Sequence, residues 1–150
     1  MVITTEKIKQ LRDETGLSVM LCKKALENSG GDENKALEWL KQQGLETAEK
    51  KSSRGTKAGL IEAYVHGNGQ VGVLLEIKSE TDFVAKNPGF KELAHDIAMH
   101  IAASNPADIE ALLSQPYIKN LDITISDYLN EAVQKFGENI EISRFERYKL

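Results

Sequence analysis

Apolar residues in the first 44 positions recur at helical spacing in three groups, with glycine between one group and the next. Gly16 and Gly44 follow the first and third groups and predict helix ends, while Ser18 and Asp32 are placed to cap the second and third helices. The buried faces of those two helices are predicted to be Leu21, Cys22, Ala25 and Leu26, and then Ala36, Leu37 and Leu40. Three short helices bury little, so we expect this unit to present some apolar surface.

Strand patterns follow a polar stretch that has no apolar period. Residues 46–58 are rich in Lys, Glu, Ser and Gly and predict a linker, helical at its start. Residues 60–66 and 71–78 then flank the turn sequence Gly67 to Gln70, and the second run alternates Val71, Val73, Leu75 and Ile77 with the residues between them. This pattern is typical of a β-hairpin.

Helical periodicity returns after the hairpin. Pro88 suits the first turn of a helix that runs to about Asn105, with Phe90, Leu93, Ala94, Ile97 and Ile101 on its buried face. Ser126 or Asp127 is expected to cap a further helix that ends at Gly137. Residues 112–118 are too short and mixed in character to assign to a helix or a strand.

The last residues, 140–150, have a β-type composition, but their alternation slips between Ile142 and Phe145. A bulge or a change of face is therefore predicted in this strand. The whole pattern predicts an α+β protein, with an N-terminal three-helix module, a linker, and an antiparallel three-stranded sheet packed on helices.

Composition narrows the classes of function. The formal net charge is -4 and the pI is about 5.5, with clustered basic residues only at Lys50, Lys51 and Arg54, so direct nucleic-acid binding is not expected. The charged N-terminus does not resemble a signal peptide, and no window approaches the roughly 20 apolar residues of a membrane span. We expect a cytoplasmic protein. Cys22 is the one cysteine, which excludes an intrachain disulfide and favours a buried thiol.

Candidate catalytic chemistry is confined to His95, Asp96 and His100. Asp96 and His100 are four residues apart on one helix face and are expected to pair, whereas His95 and His100 point away from each other. A zinc helix spaces its histidines four apart and needs a third ligand, which the sequence does not suggest. We therefore expect no metal, no cofactor and no bond-making active site.

The stretch SETDFVAKNPGF, from Ser79 to Phe90, joins the hairpin to the following helix. Thr81 or Asp82 is placed to cap a short helical turn. From the residues alone, the burial of Phe83 and Val84 beneath the sheet is favoured. The alternative is that Asp82 and Phe83 protrude together as a wedge that inserts between two elements of another protein.

Three segments of the chain resemble the bacterial translation elongation factor Ts family. They are TGLSVMLCKKALENSGGD from Thr15 to Asp32, ETDFVAKNPGF from Glu80 to Phe90, and GENIEISRFERYKL from Gly137 to Leu150. The resemblance implies a ubiquitin-associated-like helical module over residues 1–45, a linker over 46–58, and an α+β core of the dimerisation type over 59–150.

The same resemblance implies a guanine-nucleotide exchange factor for GDP-bound elongation factor Tu. The family's intruding motif corresponds to Thr81, Asp82, Phe83 and Val84, which would disturb the partner's magnesium and phosphate loop and so release GDP. Val19, Met20 and Lys23 are expected to lie against the partner's nucleotide-binding domain. Lys50 and Lys51 are expected to be supporting contacts, with a solvated surface position as the alternative for each lysine.

This chain departs from the family pattern at several positions. Leu21, Ser18 and Val19, and Ser79 replace residues common in relatives, and a helical segment is predicted to be missing between Pro106 and Gln115. The short chain would then act through a smaller footprint or as a noncovalent homodimer. The alternative function is a ubiquitin-associated-like adaptor without exchange activity.

Overall fold

Three helices begin the chain in the computed structural model, which describes residues 2–150. They are α1 (Thr5–Thr15), α2 (Val19–Asn28) and α3 (Glu33–Lys51). Met1, the first position of the predicted N-terminal module, lies outside the described residues. Ser18 and Asp32 cap α2 and α3 by accepting backbone N–H groups, and Gly16 ends α1 with φ 68°, so these three predicted boundaries are confirmed.

The predicted end of α3 at Gly44 is wrong, because the helix continues to Lys51. Gly44 is buried against another helix, and a Cβ there would lie 3.0 Å from Oε1 of Gln134. The glycine therefore permits a close helix contact and does not terminate the helix. The first part of the predicted linker, up to Lys51, is therefore helical. Ala48 in this part packs on the apolar cluster beneath the sheet.

The predicted hairpin and the three-stranded antiparallel sheet are confirmed. Strands β1 (Ala58–His66), β2 (Val71–Ser79) and β5 (Glu141–Lys149) lie in the order β1-β2-β5, with β2 in the centre. The slip in the last strand is a bulge: Ile142 pairs with Ile77 and Arg144 with Glu76, which leaves Ser143 between them. Ser143 Oγ donates to the Glu76 carbonyl at 3.2 Å and to its carboxylate at 2.7 Å, so the bulge is hydrogen-bonded.

The remaining elements connect β2 to β5. They are α4 (Asp82–Ala85), α5 (Pro88–Ser104), α6 (Ile109–Ser114), the two-stranded β3 (Pro116–Tyr117) and β4 (Asn120–Thr124), and α7 (Ile125–Phe136). The predicted cap of α7 at Ser126 or Asp127 is wrong. Thr124 caps the helix, and Asp127 completes a capping box from inside its first turn.

Two apolar clusters form the interior. The smaller lies within α1–α3 and includes Cys22, which is fully buried as predicted. The larger lies between the inner face of the sheet and α4–α7, with Leu75, Ile77, Phe90 and Ile97 fully buried in it. The α+β class is thus confirmed. The ubiquitin-associated likeness of α1–α3 and the division at residues 45 and 58 remain predictions.

Between residues 2 and 150, no helix combines the length and the apolar character that crossing a membrane requires.

Gly59 allows the first two strands to approach each other. Its φ is 150°, and a Cβ at this position would lie 2.3 Å from the carbonyl oxygen of Ile77 in the paired strand. Gly72, in the same sheet, would place a Cβ no closer than 3.8 Å to its nearest neighbour. The two glycines therefore differ in whether the sheet requires them.

We predict that Gly59→Ala lowers the free energy of unfolding by about 2 kcal/mol or more, because the Cβ would push apart a paired backbone. Gly72→Ala is the matched control and is expected to stay within about 0.5 kcal/mol of wild type. Urea denaturation, monitored by circular dichroism, measures the free energy of unfolding of both variants. Equal stability of the two variants would contradict the close approach at Gly59.

Candidate functional site

A one-turn helix stands where the central strand ends. Strand β2 finishes at the buried Ser79, and Thr81 caps α4, accepting the Val84 N–H at 3.4 Å. Of the two caps that the sequence allows, Thr81 is the one used. Asn87 follows as the cap of α5, with Pro88 in its first turn as predicted.

The side chains of α4 divide between the core and solvent. Val84 and Ala85 are buried, whereas the Phe83 side chain is 85% exposed and Asp82 is exposed beside it. The burial of Phe83 favoured by its residue type is therefore wrong, and that of Val84 is confirmed. Consecutive helical residues point about 100° apart, so Phe83 lies about 200° around the axis from the buried Ala85, on the opposite side of the turn.

The carboxylate of Glu138, which follows α7, holds the backbone that leads into α4. Glu138 Oε1 accepts the backbone N–H groups of Glu80 at 3.1 Å and Thr81 at 3.0 Å, and its Oε2 accepts the Thr81 hydroxyl at 2.7 Å. Arg54 pairs with the Glu80 carboxylate at 3.7 Å. Sequence reasoning missed Glu138, although it lies in the closing GEN segment that carried part of the resemblance.

The candidate docking residues of the N-terminal helices lie mostly at the surface. Val19 is half exposed and Met20 is 81% exposed at the start of α2, and Lys23 pairs with Glu27 one turn later at 3.8 Å. Lys50 is exposed in the last turn of α3. Lys51 donates to the carbonyl of Gly137, so it joins α3 to the start of the last loop.

Known proteins resemble the whole chain. An elongation factor Ts of Thermodesulfovibrio yellowstonii is 42% identical over 100% of this chain and 97% of the relative. One from Carboxydothermus hydrogenoformans is 41% identical over 99% and 89%, and one from Nitratidesulfovibrio vulgaris is 39% identical over 100% and 98%. The family described as elongation factor TS matches residues 80–150. This chain belongs to the elongation factor Ts family. By family it is a translation elongation factor, with a part in protein biosynthesis.

The chain lacks internal residues that its elongation factor Ts relatives have. The alignment with the Thermodesulfovibrio protein extends over 194 positions although this chain has 150 residues, so the relative has internal residues without a counterpart here. The stretch where we predict the missing segment, between Pro106 and Gln115, contains the short helix α6. That location for the missing residues remains a prediction.

The expected pair between Asp96 and His100 does not form. Asp96 is buried, and its carboxylate accepts from Lys119 Nζ at 2.6 Å and from the Tyr128 hydroxyl at 2.8 Å. Burial, then the hydrogen bond to Asp96, raises the pKa of Tyr128 far above its usual range, so the phenol remains a donor. The prediction was wrong because both α5 side chains have partners in the segment from Gln115 to Tyr128, which helical spacing cannot reveal.

His95 contacts two side chains of strand β1. Its Nδ1 lies 3.5 Å from the Glu62 carboxylate, and its ring makes a T-shaped contact with Tyr64, with 5.6 Å between the ring centroids. Within residues 2–150, no group of three or more His, Cys, Asp or Glu side chains is arranged to hold a metal ion.

His100 is fully buried and neutral. Its Nδ1 accepts the Ile118 N–H at 3.3 Å, so that nitrogen has no proton, and Nε2 donates to Gln115 Oε1 at 2.9 Å. Burial lowers the pKa of His100 below its ordinary 6.5, against the opposing hydrogen bond to Gln115. The imidazole therefore joins α5 to the β3 region.

We predict that this histidine makes the protein less stable in mild acid. As pH falls below about 6.5, the unfolded state binds a proton before the folded state does, so the free energy of unfolding falls by up to about 1.4 kcal/mol per pH unit until the folded pKa is reached. Urea denaturation between pH 5 and 7.5 measures the slope, which His100→Gln should reduce. An NMR titration that places the His100 pKa at or above 6.5 in the folded protein would contradict this.

Proposed function

We propose that this chain accelerates the release of GDP from elongation factor Tu. The observation that carries the proposal is the exposed aromatic ring of Phe83 on a capped and anchored turn of helix, with the Asp82 carboxylate next to it. Proteins usually bury phenylalanine, and an ordered exposed one is suited to a partner's apolar gap. The membership of the elongation factor Ts family supplies the identity of that partner.

In the proposed mechanism Thr81, Asp82, Phe83 and Val84 have different tasks. Phe83 enters an apolar gap of the partner, and Asp82 brings a negative charge toward the magnesium and phosphate site. Thr81 and Val84 hold the turn, one as its cap and the other as its anchor in the core. Movement of the partner's phosphate loop and loss of its magnesium would remove the charge that neutralises GDP, which would then leave faster.

This function needs no acid, base or nucleophile in the chain. The factor and GDP weaken each other's binding by linkage, and incoming GTP eventually displaces the factor. We further propose that Val19, Met20 and Lys23 dock on the nucleotide-binding domain, since they form an exposed edge of α2. Lys50 is a weaker candidate, and Lys51 less so because it already holds Gly137.

We predict that Phe83→Ala lowers the maximal acceleration of GDP release by about tenfold or more, the effect of removing a central interface residue. Its free energy of unfolding should stay within about 0.5 kcal/mol of wild type, because the ring is exposed in the free protein. Stopped-flow release of fluorescent GDP from elongation factor Tu measures the rate. Leu121→Ala is the matched control, because Leu121 is a 72% exposed apolar residue outside the motif.

The same stopped-flow assay, repeated over a range of factor concentrations, separates docking at α2 from insertion of Phe83. Met20→Ala should raise the half-saturating concentration of the factor while it preserves most of the maximal rate, because docking precedes the insertion of Phe83. Wild-type protein that leaves GDP release unchanged at saturating concentration would refute exchange activity and favour the adaptor function. Full acceleration by Phe83→Ala would refute only the wedge.

The outer face of the sheet is the proposed surface for a homodimer. Ile61, Val65, Leu74 and Tyr148 project from it, with exposures of 51 to 70%. The registers place Leu74 between strands that carry Ala63 and Glu146, so these side chains share one face. Two copies of such a face can stack as a sandwich, and the fully buried Cys22 is in keeping with noncovalent association.

We predict that Leu74→Glu shifts the protein toward the monomer, because a second carboxylate directly opposite Glu146 would add like-charge repulsion at the centre of the stacked sheets. Sedimentation velocity at tens of micromolar protein measures the change, with Leu121→Glu as the control outside the three-stranded sheet. A monomeric wild type under these conditions would refute the dimer.

A further inference from the structure

Residues 137–139, the first three of the loop from α7 to β5, contact both the residues that precede α4 and the end of α3. Gly137 ends α7 with φ 74°, and its carbonyl accepts the Lys51 ammonium. The Asn139 side chain is buried and donates to the carbonyls of Ser52 at 3.4 Å and Arg54 at 2.9 Å. Glu138 lies between these two anchors, so the position of its backbone is determined from both sides.

The Glu138 carboxylate satisfies the groups that the end of the sheet leaves without strand partners. Pairing between β1 and β2 ends at Ser79, and the next two backbone N–H groups, of Glu80 and Thr81, both donate to Glu138. Hydrogen bonds to an ionised acceptor are stronger than those between neutral groups. The carboxylate therefore fixes the backbone over the two residues that precede α4.

The hydroxyl of Thr81 transmits this constraint into the helix. It donates to Glu138 Oε2 at 2.7 Å and accepts the Val84 N–H at 3.4 Å. The cap of α4 is thereby held in the rotamer that starts the turn at Asp82. With Val84 in the core on one side and Glu138 on the other, the direction of Phe83 is set before any partner arrives.

We propose that Glu138 is the positioning residue of the Phe83 wedge, acting through Thr81 and the backbone of Glu80. Glu138 need not touch the partner; its carboxylate pre-organises α4 so that insertion of Phe83 requires no ordering of the turn. This inference rests on the proposed exchange function.

The first test is the exchange assay with Glu138→Ala. The maximal acceleration of GDP release should fall by about tenfold, as expected from the loss of charge-assisted hydrogen bonds, while the half-saturating concentration changes less than twofold. Glu138→Gln is the rescue variant, because its amide oxygen can still accept both N–H groups and its NH₂ can donate to the Thr81 hydroxyl. Glu110→Gln, which removes an exposed carboxylate on α6, should behave as wild type.

The second test is hydrogen exchange in the free protein, which needs no partner. Glu138→Ala should speed exchange of the amides of Glu80, Thr81, Val84 and Ala85 by at least about tenfold, while the protected amides of α5 keep their wild-type rates. Glu138→Gln should exchange more slowly at these four amides than Glu138→Ala. A variant that loses protection throughout α5 as well has lost general stability, and this would overturn a specific role for Glu138.

The two tests separate the two hypotheses. Wild type that does not accelerate GDP release refutes the proposed function and, with it, the role of Glu138 in exchange. An active wild type beside a fully active Glu138→Ala, or unchanged exchange of the four amides named above, overturns the positioning role and leaves the proposed function intact.

Discussion

A single turn of helix can bury only one of its sides, and this constraint determines the exposed surface at the end of the central strand. Helix α4 has four residues, and its two ends are fixed by the buried Ser79 before it and the buried Phe90 after it. Val84 occupies the side that faces the core. Ala85 is buried beside it, and Phe83 is about 200° around the helix axis from Ala85, so this orientation of the turn leaves Phe83 exposed.

Features that depend on near neighbours in the chain could be predicted from the sequence. The caps at Ser18 and Asp32, the hairpin and the apolar face of α5 each depend on residues a few positions apart or on simple alternation. The bulge at Ser143 also left a local trace, because two apolar residues of one strand stand out of step. For the site, the cap at Thr81 and the burial of Val84 were accessible by the same reasoning.

The features that could not be predicted depend on partners distant in sequence. Glycine often ends a helix, so the sequence favours a helix end at Gly44. Only the contact with Gln134 of α7 shows that this glycine permits close packing. Asp96 and His100 share a helix face, yet each is hydrogen-bonded to other partners between Gln115 and Tyr128. Glu138 is separated from Thr81 by 57 residues, so no spacing rule could connect the two.

The continuation of α3 beyond Gly44 changes how the two ends of the proposed contact relate to each other. Had the chain become a flexible linker at that point, docking of the N-terminal helices would have restrained Phe83 only through an effective concentration. Instead the helix reaches the 137–139 loop, where Lys51 meets Gly137 and the following carbonyls meet Asn139. The same loop holds Thr81, so a continuous set of hydrogen-bonded groups joins α3 to α4. In the proposed contact, binding free energy gained at α2 would act on the position of Phe83, because little of it would be lost in ordering the segments between them.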